Sequence, residues 1–356
     1  MKKALIFDPY LDTLGGGERY VFSVAQILLH SGFKVNVAWK DKNILSKATT
    51  RFGINLKSIG VDPVAFNLLS SQGQLLKKVN LTRKYDLIFF LSDGSIPLLF
   101  GQKNLLHLQM PFSKSANINF VDKLKLLKIN KIIYNSAFTQ SYWQKYLPKN
   151  KGVVIYPPID TDSFKPSKIK ENIILSVGRF DSPSHPKRQD VLISAFASLP
   201  KNIQSKYKLV LVGGLVGNKS LLKNLKAKAQ KLNVEFIVNP NFKTLQSLYA
   251  KAKIFWHAAG FEIDEQKNPD KVEHFGMTTV EAMSAGCVPT VCNKGGQKEI
   301  VTSGTGFLWN IIPELVSHTL QLIKSPSLIK RTANKAIKRS KDFGLKTFEN
   351  GLKQII

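Results

Sequence analysis

Short apolar runs alternate with longer amphipathic stretches, and the rhythm occurs twice along the chain. In the first half KALIFDPY reads as a strand, GERYVFSVAQILLHSG as a helix and KVNVAWK as a strand. YDLIFFLSDG, KNLLHLQM and KIIYNS follow as strands, with helical stretches between them. The second half runs NIILSVGRF, YKLVLVGG, VEFIVN, KIFWHAA and VPTVCN as strands. QDVLISAFASLP, KSLLKNLKAKAQKLN, TLQSLYAKA and TTVEAMSAG read as the helices between them. Strands this rich in Val, Ile and Phe, without polar alternation, belong to parallel sheets covered on both faces by crossover helices. The pattern predicts an α/β fold of two Rossmann-like, doubly wound domains, and 356 residues suit two cores better than one. VIYPPIDTDSFKPSK, with three prolines, reads as the joint. The expected division is 1–157, a linker 158–170, a second domain 171–335, and a basic C-terminal helical segment 336–356 that returns to the first domain, with a break at Gly344. Two such domains would face each other across a cleft at the carboxyl ends of their strands, where open α/β sheets bind ligands.

Bulk properties narrow the partners. No apolar run approaches the roughly 20 residues of a membrane-spanning helix. MKKALIFDPYL lacks the long apolar core and cleavage site of a signal peptide, so a cytoplasmic protein is expected. Cys287 and Cys292 lack a second pair and read as buried free thiols, with no metal expected. A net charge of +28 leaves nucleic acid, an anionic membrane surface and anionic substrates open. No basic face with interleaved aromatics and no recognised nucleic-acid module is present, which disfavours nucleic acid. KLKLLKINK sets Lys123, Lys125, Lys128 and Lys131 among Leu and Ile. As a helix it would either lie on anionic lipid or pack its leucines on the core.

Some motifs miss. VGGLVGNKS has Asn218 where a phosphate loop needs its second glycine, and Asp160–Asp162 in the linker suits a turn cap better than a metal site. LGGGERY is more informative: Gly15, Gly16 and Gly17 follow a strand and open a helix, a place that suits phosphate or sugar hydroxyls, or a tight turn. In SVGRFDSPSHPKRQD, Arg179 ends a strand and Lys187 precedes a helix. A guanidinium fork and an ammonium point charge at one cleft mouth suit a diphosphate. EHFGMTTVEAMSAG holds Glu273 and Glu281 with seven residues between them. Thr278 and Glu281 fit a capping box, while Phe275, Gly276, Met277 and Thr278 would offer backbone N–H groups to a phosphate. Glu273 precedes Gly276, so the two acids do not share a helical face.

With VIYPPIDTDSF, VGRF…HPKRQDVLISAF and EHFGMTTVEAMSAGCVPTV in that order, the chain resembles a retaining glycosyltransferase of family 4, with the GT-B fold. GGGERY, YNSAFT and NKGGQKEIV also match, so the resemblance covers nearly the whole chain. It implies that Arg179 and Lys187 bind the diphosphate of a nucleotide-sugar donor, with help from N–H groups around Gly276, Met277 and Thr278. Glu281 would hold the ribose. Glu273 would contact the donor sugar, and Gly16 and Gly17 would approach the donor diphosphate or the acceptor from the other domain. No cofactor and no divalent metal are implied. Many relatives carry a His closely followed by Pro in the first domain; in LLHLQMPF either His107 or Gln109 takes that place, or His107 is a buried structural residue. HAAGFEIDEQKNPDKVEHFG is longer than usual before Glu273 and resembles the alpha-1,2-mannosyltransferase branch that extends lipid-linked oligosaccharides. The implied function is transfer of a hexose, with mannose favoured, to a lipid-linked or polysaccharide acceptor at the inner membrane surface. A soluble transferase making a small glycoside is the alternative.

Overall fold

The computed structural model describes residues 1–111, 118–181 and 186–356. Ser182–His185 of the loop before Lys187, and Phe112 of LLHLQMPF, lie outside the described residues. The chain forms two compact units, Met1–Pro158 with Lys346–Ile356, and Ile159–Leu345. The division falls after the double proline, so most of the predicted linker belongs to the second unit. The helix Pro326–Ser340 also lies there, and the segment that belongs with the first unit begins at Lys346 rather than at 336.

The first unit contains seven parallel strands: β1 (Lys3–Phe7), β2 (Lys34–Ala38), β3 (Gly60–Val61), β4 (Leu87–Leu91), β5 (Lys103–Leu108), β6 (Lys131–Tyr134) and β7 (Gly152–Val154). Their order is β3-β2-β1-β4-β5-β6-β7. Alternate side chains serve opposite faces: Ala4 and Ile6 join one core, Leu5 and Phe7 the other. This two-sided burial is why β1 and β4 read as unbroken apolar runs.

The second unit has six parallel strands: β8 (Glu171–Val177), β9 (Lys208–Gly213), β10 (Val234–Val238), β11 (Ala252–His257), β12 (Val288–Cys292) and β13 (Phe307–Trp309). Their order is β10-β9-β8-β11-β12-β13. The order reverses between β8 and β11, which pair directly, so the crevice at their carboxyl ends is the topological switch point of this sheet. Ile174, Leu209, Leu211, Ile254 and Trp256 build its core. The indole of Trp256 donates to Thr319 Oγ1 at 3.0 Å, so even this buried polar atom is satisfied. Both cysteines are buried free thiols.

Candidate functional site

Three polar side chains of the second unit meet near its switch point. Lys187 Nζ lies 2.7 Å from Glu273 Oε2, and His257 Nε2 lies 3.1 Å from the same oxygen. His257 is the last residue of β11 and is 3% exposed; Lys187 and Glu273 are 21% and 16% exposed. The stem of Lys187 crosses Gly178, the first residue after β8, at a distance that leaves no room for a Cβ. Gln189 fixes that turn by donating to the carbonyls of Gly178 and Arg179 at 3.3 and 3.0 Å.

Glu273 is held from behind by its own backbone. Its carbonyl accepts the Gly296 N–H at 2.8 Å. A Cβ on Gly295 would overlap that carbonyl oxygen, and one on Gly296 would overlap the His274 carbonyl and Phe275 Cα. The glycine pair after β12 therefore lets two backbone segments touch. Glu265 clamps the same turn, accepting the Gly295 N–H at 2.7 Å and pairing with Lys298 at 2.5 Å.

The helix Met277–Ser284 starts differently from the expectation. Gly276 is its N-cap, with φ 118°, a conformation that strongly favours glycine, and no side chain caps it. Thr278 already lies inside the first turn, so the capping box does not form. Glu281 instead accepts the Tyr249 hydroxyl at 3.0 Å in a buried setting. Burial, with the Glu281 carboxylate beside it, pushes the Tyr249 phenol well above its ordinary pKa and keeps it a donor. Phe275 is buried with its ring 5.4 Å from Phe343, so only its backbone is a candidate for ligand contact. Met277 and Thr278 carry N–H groups of the first helical turn, which has no intrahelical acceptors for them. Arg179 is 64% exposed and pairs with Asp181 at 3.2 Å, so the cluster contains Lys187 but not the Arg179–Asp181 pair.

In the first unit the glycine loop follows β1 and opens the helix Gly16–His30. The left-handed residue of this turn is Leu14, not a glycine. Gly17 is needed for space: a Cβ there would overlap the Gln109 amide. Glu18 reaches back to the Gly15 N–H and takes the Thr13 hydroxyl, both at 2.6 Å. Burial, then the Glu18 charge, pushes Asp8 up to about 7. Of the two residues weighed for the His-Pro position, Gln109 faces the loop. His107 is fully buried, stacked 4.2 Å from Tyr20, with Nδ1 3.2 Å from the Ile133 carbonyl. Burial pushes it down to about 3, so it is neutral and part of the core. Asp160 accepts from the Ser163 N–H at 3.2 Å, as a turn cap. Among the described residues, no three His, Cys, Asp or Glu side chains are grouped as a metal site.

The sequence profile of the family described as "Glycosyl transferases group 1" matches residues 159–339, more than half of the chain. The chain belongs to that family. Among curated relatives, a Xenopus tropicalis GDP-Man:Man(3)GlcNAc(2)-PP-Dol alpha-1,2-mannosyltransferase is 32% identical over 50% of this chain and 37% of its own length. The Dictyostelium discoideum alpha-1,3/1,6-mannosyltransferase ALG2 is 27% identical over 64% of this chain and 60% of its own. The chain spans less than half the length of the first of these relatives. A Rickettsia africae glycosyltransferase structure superposes with a TM-score of 0.75 at 19% identity, covering 99% of this chain and 97% of that one. Anabaena HepE in complex with UDP-glucose gives 0.72 at 20%, covering 99% of each. These likenesses establish the GT-B fold.

The family match spans Arg179, Lys187, Glu273 and Glu281, and the structure adds residues that motif reading missed. His257 and Tyr249 touch the two acids directly. Arg188, with φ 51° at the cap of the next helix, donates to the Phe261 carbonyl at 3.0 Å and pairs with Asp190 at 3.2 Å. It ties the segment carrying Lys187 to the long stretch before Glu273. A polar residue closing an apolar strand, as in KIFWHAA, was the available signal for His257.

Proposed function

We propose that this protein transfers a hexose from a nucleoside-diphosphate sugar to a lipid-linked acceptor, with retention of anomeric configuration and without a divalent metal. The observation that carries the reading is the Lys187–Glu273 pair near the switch point of the family-matched unit. On this reading Lys187 leaves Glu273 for the diphosphate when donor binds. Arg179, exposed beside Asp181, swings onto the same group as a fork. Met277 and Thr278 N–H groups at the helix start add donors without cost in reorganisation. The Glu281 carboxylate, held by the Tyr249 hydroxyl, accepts ribose hydroxyls. Glu273, released from Lys187, faces positive charge developing at the anomeric carbon. Gly16 and Gly17 serve the donor diphosphate or the acceptor, and Gln109 the acceptor.

Relatives named for GDP-Man favour mannose as the sugar, whereas HepE was solved with UDP-glucose, so the base needs a direct test. Thermal shift with GDP-, UDP- and ADP-sugars is expected to select one donor. Lys187→Ala is expected to weaken the corresponding nucleoside diphosphate by about 10- to 100-fold, since a hydrogen bond to a charged group contributes about 1.5–3 kcal/mol. Unchanged affinity in calorimetry would remove Lys187 from the donor site.

Among the described residues, no helix is long and apolar enough to cross a membrane. The helix Phe120–Leu127 supports contact with the inner face of a membrane instead. Phe120 and Leu127 are 74% and 73% exposed, and Val121 and Leu124 are exposed beside them. Phe120, Val121, Leu124 and Leu127 thus leave one side of the helix unpacked, while Leu126 and Ile129 of KLKLLKINK pack into the core. Its basic rim is smaller than expected: Lys125 pairs with Asp122 at 2.9 Å, Lys128 lies over the Phe100 ring, and Lys131 begins β6. Binding to anionic vesicles is expected to fall about tenfold on Phe120→Ser with Leu127→Ser, and to survive moderate salt better than a purely electrostatic contact. Equal binding by this variant and wild type in vesicle co-sedimentation would sink the insertion.

A further inference from the structure

His257 has no task in the transfer scheme above, yet it touches the central acid. A carboxylate oxygen accepts, so the 3.1 Å contact places the hydrogen on Nε2. Nδ1 is buried and without a partner among the described residues. The ring therefore meets the site through Nε2, toward Glu273. It is also rigidly mounted: His257 is buried and in register with Val291 of β12. Lys187, by contrast, reaches Glu273 Oε2 from the end of a flexible stem that begins in a loop.

We propose that His257 is a positioning residue that keeps the Glu273 carboxylate aimed at the donor sugar while Lys187 is engaged with the diphosphate. The proposal rests on the functional reading above. In the ligand-free protein one carboxylate oxygen serves both Lys187 and His257. A diphosphate carries more charge than a carboxylate and draws the ammonium away. The Gly296 contact fixes only the Glu273 backbone, so the orientation of its carboxyl group then depends on what holds the side chain. An imidazole N–H fixed at a strand end supplies that hold, and a misplacement of about 1 Å at such a group can cost about 100-fold in rate.

The test compares His257→Gln, His257→Asn and His257→Leu in the full chain. It uses GDP-mannose as donor, or UDP-glucose if the thermal-shift screen selects a uridine nucleotide, with GDP and UDP as binding probes. The Gln amide nitrogen reaches about where Nε2 lies, whereas the Asn amide falls short. His257→Gln is expected to keep kcat within about fivefold of wild type, and His257→Asn and His257→Leu to lose about 10- to 100-fold. Nucleoside-diphosphate affinity is expected to stay unchanged in all three. Wild-type kcat for His257→Leu alongside an inactive Glu273→Gln overturns the inference and leaves the functional reading standing; normal turnover by Glu273→Gln overturns the reading itself. Equal losses of kcat, diphosphate affinity and melting temperature in all three variants make His257 a folding residue only, which also overturns the inference.

Discussion

Glu273→Gln is expected to lower turnover by about 100- to 1000-fold, the range seen when a preorganised electrostatic group is removed from a transition state. Glutamine keeps the shape and one acceptor oxygen, so the His257 contact survives in part. The charge is what disappears. The fold is expected to persist, with a melting temperature within a few degrees of wild type, because Glu273 is anchored through its backbone at Gly296 and Lys187 is exposed enough to find water. The sign of the binding effect is the sharper check. Lys187 is tied to Glu273 at 2.7 Å in the ligand-free protein, and a diphosphate must break that pair. Without the carboxylate, Lys187 is free in advance, so the nucleoside diphosphate is expected to bind as tightly as to wild type or more tightly. Weaker diphosphate binding by Glu273→Gln would mean that the acid organises the lysine rather than competing with the ligand. Normal turnover would take Glu273 out of the chemistry.

What was legible in the sequence follows from what each residue needs. β1, β4, β9 and β12 are buried on both faces, so their apolar runs could be read without knowing their neighbours. Arg179, Lys187 and the E-x7-E pair stand in an ordered set of motifs, and order along the chain is a one-dimensional property. The misses are three-dimensional. Thr278 and Glu281 have capping-box spacing, but Gly276 with φ 118° starts the helix earlier, and Tyr249, 32 positions away, claims the carboxylate. Gly17 looks like a turn glycine, yet Leu14 takes the left-handed conformation and Gly17 makes room for Gln109. Lys131 belongs by spacing to the basic helix, but strand β6 begins there. His257 meets Glu273 across 16 positions that include the long stretch before the motif, and no local pattern reports such a meeting.

Gly296→Ala tests the packing that holds the site. Its φ is −68°, which any residue adopts, so backbone strain does not enter the effect. Only space does. An added Cβ would overlap the His274 carbonyl and Phe275 Cα, both backbone atoms, so no side-chain rotation relieves the clash. Overpacking of this kind costs about 1–3 kcal/mol and more where backbone must move. For a domain of this size, about 3 kcal/mol corresponds to a fall of about 6–12 °C in melting temperature. Gly214→Ala is the control, because its Cβ would meet nothing closer than 3.8 Å. It is expected to melt within about 2 °C of wild type. The segment that Gly296 must push aside carries Glu273, so turnover is expected to fall by more than the loss of folded protein explains. The Lys187 side of the site is fixed independently by Gln189 on the turn after β8, whereas the Met277 and Thr278 N–H groups follow directly on the displaced segment, so folded Gly296→Ala is expected to lose less nucleoside-diphosphate affinity than turnover. Calorimetry on the folded fraction separates the two effects. A melting temperature equal to that of Gly214→Ala would show that the two backbone segments do not touch as described, and a parallel loss of diphosphate affinity would show that the lysine and the acid are positioned as one block.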